Sequence, residues 1–365
     1  MTLVSPTRRT LLGALALAPA AAFAQNPPST ERRRVVVAQL VDRTGPQADL
    51  ARDYLAGAKV MFDAANAAGG VQIAHVVHDA DPEPRREVAQ AEALVVDSGA
   101  EFFFGASDAA LPALATSPVL ARRGVPLVAP LSGLPVTADN VWFTRADYPT
   151  ELQAAVQQLR AYGLDAPVLA VAPDFAAGLS ASGWLKQAEQ RSGTPAVMLA
   201  GNGEAAARQI AARKPGAVIV AADTLAYASF GRTLAAQGWY GFLVGLSSVS
   251  AGVAREILGS NYSGAMVLTQ IAPGPQQSTL RVVREHSQRM RQYLDEPPSA
   301  ATLAGYIGAA WLVRSLSGMH GTTPAEVRRA MQARMDLGDF TLDFTQRQRG
   351  SQFVQLAVIG NTRAA

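Results

Sequence analysis

What most narrows the fold of this chain is a regular alternation. Short apolar runs, each stopped by Gly, Pro or a small polar residue, are separated by stretches of helical length. The runs are Val35–Leu40, Ile73–Val77, Phe102–Phe104, Val125–Ala129 and Val141–Thr144, then Val168–Ala172, Ala196–Leu199, Ala217–Ala221 and Phe242–Gly245. Between them, Leu55, Ala58, Phe62 and Ala65 form a helical stripe stopped by Gly69-Gly70. Pro84–Asp97, Glu151–Tyr162, Ser180–Arg191, Ala205–Arg213 and Leu225–Gln237 also read as helices. Apolar runs of this length bounded by breakers are buried strands, and helices between them imply βαβ units and parallel sheets. One compact sheet cannot hold so many strands, so the pattern predicts an α/β protein of two similar lobes. The last third changes rhythm, with helices over Gln276–Leu294, Ala300–Leu316 and Pro324–Met335 and strands over Phe340–Phe344 and Phe353–Ile359. A late helical block with two strands to place predicts a chain that returns to complete lobes begun earlier. The expected lobes are residues 35–144 plus 271–350, and 145–270 plus 351–360.

The stretch from Phe102 to Pro135 is central to this arrangement. Two neighbouring strands end in small polar loops, one at Ser107 and one at Ser132-Gly133. In an open parallel sheet, ligands bind beyond the carboxyl ends of the strands, where helix N-termini offer unpaired N–H groups. Two such loops side by side suit a carboxylate. Ser107 equally suits a helix cap, and spacing alone does not separate these roles.

The first 24 residues stand apart. Thr7-Arg8-Arg9-Thr10-Leu11-Leu12 is a twin-arginine pattern, followed by an apolar run to Ala24 that ends Ala22-Phe23-Ala24. A basic start, an apolar middle and an A-x-A end describe a cleavable export signal, and the run is too short to span a bilayer as a helix. The mature chain is therefore expected to be soluble and periplasmic. Removing Arg8 and Arg9, with no acidic residue, lowers the formal charge from +3 to +1. The high pI is thus no argument for a nucleic-acid partner, and Arg32-Arg33-Arg34 reads as a solvated leader. With no cysteine in the chain, disulfides, thiolate metal sites and a cysteine nucleophile are excluded.

Other chemistry is sparse. His75 and His78, followed by Asp79, fall short of the three or four convergent ligands a metal site needs, so no metal or cofactor is expected. No G-x-S-x-G elbow or P-loop occurs. Gly201-Asn202-Gly203-Glu204-Ala205-Ala206 fits G-x-G-x-x-A between a strand and a helix, and Asp223 lies twenty residues beyond Gly203. Those are marks of a dinucleotide fingerprint and would suit an exported NAD-dependent oxidoreductase. Against it, Glu204 would sit beside the pyrophosphate, and no acid or base for hydride transfer stands out. No enzymatic activity is therefore expected.

The order of pieces resembles the periplasmic leucine/isoleucine/valine-type (branched-chain amino acid) substrate-binding proteins of ABC transporters. The resemblance runs from Val35 to about Gly360. It is carried by Thr44-Gly45-Pro46, Leu55-Ala56-Gly57-Ala58, the helix end Asn66-Ala67-Ala68-Gly69-Gly70, Asp79-Ala80-Asp81-Pro82 and the two central strands. It implies a type I periplasmic binding protein: two Rossmann-like lobes, joined by three crossovers, that close on a ligand between them. The partners it implies are a small carboxylate ligand and the membrane permease of an ABC importer, with the protein itself a monomer. A ligand sensor of the same fold feeding a membrane receptor is the alternative output.

Carried over residue by residue, the family's carboxylate-binding serine falls on Ser107, and its second ligand loop on Leu131, Ser132 and Gly133. The aromatic residue of its side-chain pocket falls on Leu50. In the second lobe its stacking tyrosine falls on Ala177, with Phe175 two residues before, and its second tyrosine falls near Asp223. The glutamate that pairs with the ligand ammonium falls on Ser247. That glutamate is therefore missing. An α-amino acid would need Asp223 as its counter-charge, while Asp223 also suits a helix cap before Thr224. Without such a counter-charge, the ligand is a carboxylate lacking an amine.

Overall fold

The computed structural model describes residues 33–359, apart from 181–182, 193–194, 202, 261, 276–278, 293–296, 318 and 320–322. Statements about the structure refer to those residues; the expected export signal and Asn202 lie outside them.

The chain first builds a parallel sheet. Its strands are β1 (Arg34–Val41), β2 (Gln72–Asp79), β3 (Phe102–Phe104), β4 (Leu127–Val128) and β5 (Val141–Trp142), in the order β2-β1-β3-β4-β5. Helices α1 (Ala48–Ala68), α2 (Pro84–Ser98), α3 (Leu111–Leu114) and α4 (Pro118–Arg123) connect them. The breakers predicted from sequence do identifiable work. Gly69 ends α1 at φ 79, in the left-handed region that glycine enters at little cost. Asn66 then clamps the incoming strand, accepting from Ile73 N–H at 2.7 Å and donating to Ile73 C=O at 3.0 Å.

The chain next crosses to a second sheet. It contains β6 (Val168–Val171), β7 (Val197–Met198), β8 (Ala217–Ala221), β9 (Phe242–Gly245) and β10 (Ala265–Gln270). Around it lie α5 (Tyr148–Ala161), α6 (Pro173–Ser180), α7 (Trp184–Ser192), α8 (Glu204–Arg213), α9 (Thr224–Ala236) and α10 (Ala251–Leu258). A second crossover leads to α11 (Arg281–Met290), α12 (Ala300–Ser317), α13 (Pro324–Met331) and a ribbon of β11 (Arg334–Asp336) and β12 (Thr341–Asp343). A third returns the chain to β13 (Gln355–Val358), antiparallel on the edge of the second sheet, whose order is β13-β10-β9-β8-β6-β7. This is the α/β architecture of two Rossmann-like lobes joined by three crossovers.

Some element boundaries differ from those predicted. The helix expected over Pro324–Met335 stops at Met331, because Arg334–Asp336 pairs with Thr341–Asp343 instead. Asp336 holds the turn between those strands by accepting from Gly338 N–H and Asp339 N–H. The helix expected over Ser180–Arg191 begins only at Trp184, as α7, and a separate helix that was not predicted, α6, carries Phe175. Helix α10 and strand β10 were not predicted.

The late helices return to the first sheet. Leu303, Ile307, Trp311 and Leu312 of α12 share one core with Val35, Phe62, Phe104 and Trp142. The approach of α1 to α12 depends on glycine: a Cβ on Gly57 would lie 1.7 Å from Thr302 C=O, and one on Gly305 2.0 Å from Tyr54 C=O. Backbone meets backbone at this crossing.

Candidate functional site

The first crossover holds a buried polar hub. Asp147 caps α5 by accepting from Thr150 N–H at 2.9 Å, which sets Glu151 in the first helical turn. Glu151 is fully buried and lies 2.8 Å from the Arg145 guanidinium. The same carboxylate accepts from Ser247 N–H at 2.8 Å, from the Ser247 hydroxyl at 2.7 Å and from the Thr269 hydroxyl. Arg145 donates also to Leu131 C=O, Ala146 C=O and Ser247 Oγ. A buried charge is tolerated when it is paired and its remaining hydrogen-bonding capacity is met, and both conditions hold here. Burial pulls the Arg145 guanidinium down, but the charge of Glu151, with Tyr148 and Asp108 adding to it, leaves it above its ordinary value. The third crossover runs beside the first: Arg349 donates to Arg145 C=O at 2.9 Å, and its guanidinium stacks 3.9 Å above the Phe143 ring.

A second polar cluster forms where the two central strands end. The loops lie side by side as predicted, with Ser132 N–H donating to Ala106 C=O at 3.1 Å. Their donors converge on Asp108. Its carboxylate accepts from the Ser132 hydroxyl at 2.6 Å, the Tyr148 hydroxyl at 2.8 Å and the Gln47 side-chain amide at 2.9 Å. Burial raises the Asp108 pKa and those hydrogen bonds pull it back, leaving a net rise. Asp42 fixes the Thr44-Gly45-Pro46 turn beside Gln47 by accepting from Gly45 N–H at 2.6 Å and Gln47 N–H at 3.1 Å.

Beside both clusters opens a cleft of about 440 Å³. The first sheet and its helices supply Leu50, Asp53, Tyr54, Leu131, Ser299 and Ala304. The second supplies Ser247, Val249, Ser250, Gly252 and Arg255, while Arg145, Gln270 and Ile271 come from the crossovers. Tyr54 is anchored by donating to Ala129 C=O at 2.6 Å. Ala129 holds φ 46, a left-handed conformation that costs a non-glycine residue about 1–2 kcal/mol. The strain turns the chain at the end of β4 into the Leu131–Gly133 loop.

Of the residues singled out from sequence, Leu50, Leu131 and Ser247 line this cleft, and Ser107, Ser132, Gly133, Phe175 and Asp223 do not. Ser107 donates to Glu87 at 2.7 Å and accepts from Ala110 N–H at 3.2 Å. Ser132 serves Asp108. Phe175 packs on the Tyr148 ring at 5.0 Å. Asp223 caps α9, accepting from Ala226 N–H at 2.8 Å. Gly203, part of the dinucleotide-like motif, has φ 74, and a Cβ there would lie 2.9 Å from the Phe230 ring. The glycine thus answers a packing demand within the second lobe. His75 pairs with Gln39 at 2.9 Å, and among the described residues no group of three metal-ligating side chains occurs. Sequence reasoning missed Gln47, Asp108, Arg145, Glu151 and Thr269. Their one shared signal is a polar side chain at or near the end of a strand or helix, too common to single them out.

A family model described as periplasmic binding protein matches residues 34–363, and the chain belongs to that family, in its leucine/isoleucine/valine-type branch. It is similar to a substrate-binding periplasmic protein from Ralstonia solanacearum, with 25% identity and a TM-score of 0.78, covering 89% of this chain and 98% of that one. An extracellular ligand-binding receptor from Verminephrobacter eiseniae has the same fold at 23% identity and TM-score 0.77, covering 90% and 98%. So does a possible leucine/isoleucine/valine-binding protein from Rhodopirellula baltica, at 22% and 0.76, covering 90% and 95%. No protein of curated function matches the chain. Among the described residues no helix is long and apolar enough to cross a membrane.

Proposed function

We propose that this protein, once exported to the periplasm, closes its two lobes on a small carboxylate, an amino acid or a related organic acid, and presents it to the permease of an ABC importer. The observation that carries this reading is the cleft itself, walled by both lobes and by two of the crossovers that join them. A ligand that touches both walls stabilises the closed arrangement relative to the open one. The wall chemistry suits a small zwitterion or acid. Leu50, Tyr54, Leu131 and Ala304 give an apolar side, Asp53 stands on the first lobe, and Arg255 stands on the second, in the last turn of α10. A guanidinium pairs well with a carboxylate, and Asp53, which already accepts from the Ser299 hydroxyl, adds a negative charge that Ser247 lacks.

The test is a thermal-shift screen of amino acids, aromatic acids and dicarboxylates on the mature protein. A ligand at a hundred times its Kd adds about 2.7 kcal/mol, so a true ligand raises Tm by several degrees. No response across the panel overturns the carboxylate reading. Delivery is tested separately: the loaded protein should stimulate ATP hydrolysis by its ABC permease in proteoliposomes. Binding without stimulation leaves a receptor of the same fold and removes the import step. For export, replacing Arg8 and Arg9 by Lys should leave precursor in the cytoplasm, and undiminished secretion would exclude the twin-arginine route.

A further inference from the structure

We infer that Asp108 is a specificity determinant: its side chain fills, from within the protein, a carboxylate cradle behind the ligand cleft and so keeps the ligand's own carboxylate out of it. The inference deepens the reading of the cleft as a ligand site, but the cradle can be tested with no natural ligand at all.

Three side-chain donors from three parts of the chain meet on this one carboxylate. Ser132 Oγ donates to Oδ1 at 2.6 Å, and Tyr148 Oη and Gln47 Nε2 donate to Oδ2 at 2.8 and 2.9 Å. Ser132 and Tyr148 are fully buried, and Gln47 is 9% exposed. Gln47 is also held from behind, its side-chain oxygen accepting from Asp108 N–H at 3.1 Å. A carboxylate has about four acceptor positions, and three of them meet side-chain donors here.

The cradle adjoins the cleft. Leu131, a cleft residue, immediately precedes Ser132, and the Arg145 guanidinium lies 5.3 Å from the Tyr148 ring centre. Gly133 is needed for this closeness, since a Cβ there would come within 2.5 Å of Tyr148 and 2.6 Å of Arg145. Arg145 gives its charge mainly to Glu151 at 2.8 Å, so it does not open a second anion position beside the first. The ligand's carboxylate is therefore left to other polar groups of the cleft. The cradle also spans the lobes, because Tyr148 opens α5 while the other donors belong to the first sheet's loops. Asp108 as a residue is only partly buried.

The experiment is chemical rescue. Thermal unfolding of wild type, Asp108→Ala and the double variant Asp108→Ala/Ser132→Ala is followed against sodium acetate, with sodium chloride at equal ionic strength as control. Asp108→Ala should unfold several degrees below wild type and recover saturably with acetate but not with chloride. Wild type should not respond. Adding Ser132→Ala should move the half-effect to at least about tenfold more acetate, the equivalent of one lost hydrogen bond. If Asp108→Ala does not accumulate as folded protein, Asp108→Ser takes its place in the same titration. A variant that responds no better to acetate than to chloride, or no differently from wild type, overturns the assignment. A silent ligand panel would count against the cleft reading and leave acetate rescue untouched, so the two failures are distinguishable.

Discussion

Arg145 and Glu151 form an ion pair at 2.8 Å with side chains 5% and 0% exposed, placed where the chain passes from the first sheet to the second. Through Ser247 and Thr269 the pair also reaches the loop after β9 and the end of β10, just before the second crossover. The passage between the two sheets is therefore held at a buried, hydrogen-bonded charge cluster.

Breaking that cluster from the acidic side should be severe. Glu151→Ala leaves a buried guanidinium without its partner, a change that costs about 3–5 kcal/mol. Urea unfolding should show the midpoint fall with little change in slope. A loss below about 1 kcal/mol would mean that water or another group takes over the pairing.

The crossing of α1 and α12 gives a steric prediction. In Gly305→Ala the new methyl would lie 2.0 Å from Tyr54 C=O, and overpacking of this kind costs typically about 1–3 kcal/mol, more when backbone must move. Gly70, with nothing within 4 Å of an added Cβ, is the control. Gly70→Ala should stay within about 0.5 kcal/mol of wild type, and equal midpoints for the two variants would contradict the close crossing.

His286 links stability to pH. It is fully buried between α11 and Tyr306, its ring 5.4 Å from the tyrosine ring, and neither ring nitrogen has a hydrogen-bond partner. Burial lowers its pKa to about 4, below the ordinary value of about 6.5. Between those values the unfolded chain binds the proton and the folded one does not, so stability falls as pH drops from about 6.5 to about 4 and is unaffected above. The full effect is roughly 3 kcal/mol. His75, also lowered to about 4, titrates in the same direction, whereas Asp108 and Glu87, both raised by burial, act oppositely. The informative quantity is therefore wild type minus His286→Phe. Urea midpoints at pH 7 and pH 4.5 should show a smaller acid loss in the variant, and parallel losses would remove the assignment.

Two serines separate cleft from scaffold. Ser107→Ala should leave ligand affinities within about twofold, under 0.5 kcal/mol, while lowering stability by about 1 kcal/mol through the lost bonds to Ala110 N–H and Glu87. Ser247→Ala, at the cleft wall and bonded to Arg145 and Glu151, should change the ranking among ligands. Calorimetry on one small panel decides both, and a tenfold loss in Ser107→Ala would bring Ser107 back to the ligand.

Much of the fold was legible because its signals are local. The run Phe102–Phe104 before Gly105, the stripe of α1 ended by Gly69 and the apolar length of α12 each carry their own period and stop. The two central strands pair in parallel and bring their loops together as their shared pattern implied. The ribbon of β11 and β12 was less legible. Arg334–Asp336 continues an acceptable helix pattern, and its extended state depends on Thr341–Asp343 lying opposite.

By itself the sequence determined the class of fold, the return of the late helices and the loop at which polar groups would gather. Tertiary structure alone decided what those groups face. Ser132 meets Asp108 from 24 residues away, Ser247 meets Glu151 from 96, and Arg349 meets Arg145 from 204. Periodicity and turn chemistry act over a few residues, whereas a hydroxyl's partner depends on which loops the sheet order brings into contact. A serine at a strand end has the same local signature whether it serves a solute or the protein's own aspartate. Only the packed arrangement gave Ser132 to Asp108 and left Ser247 at the cleft.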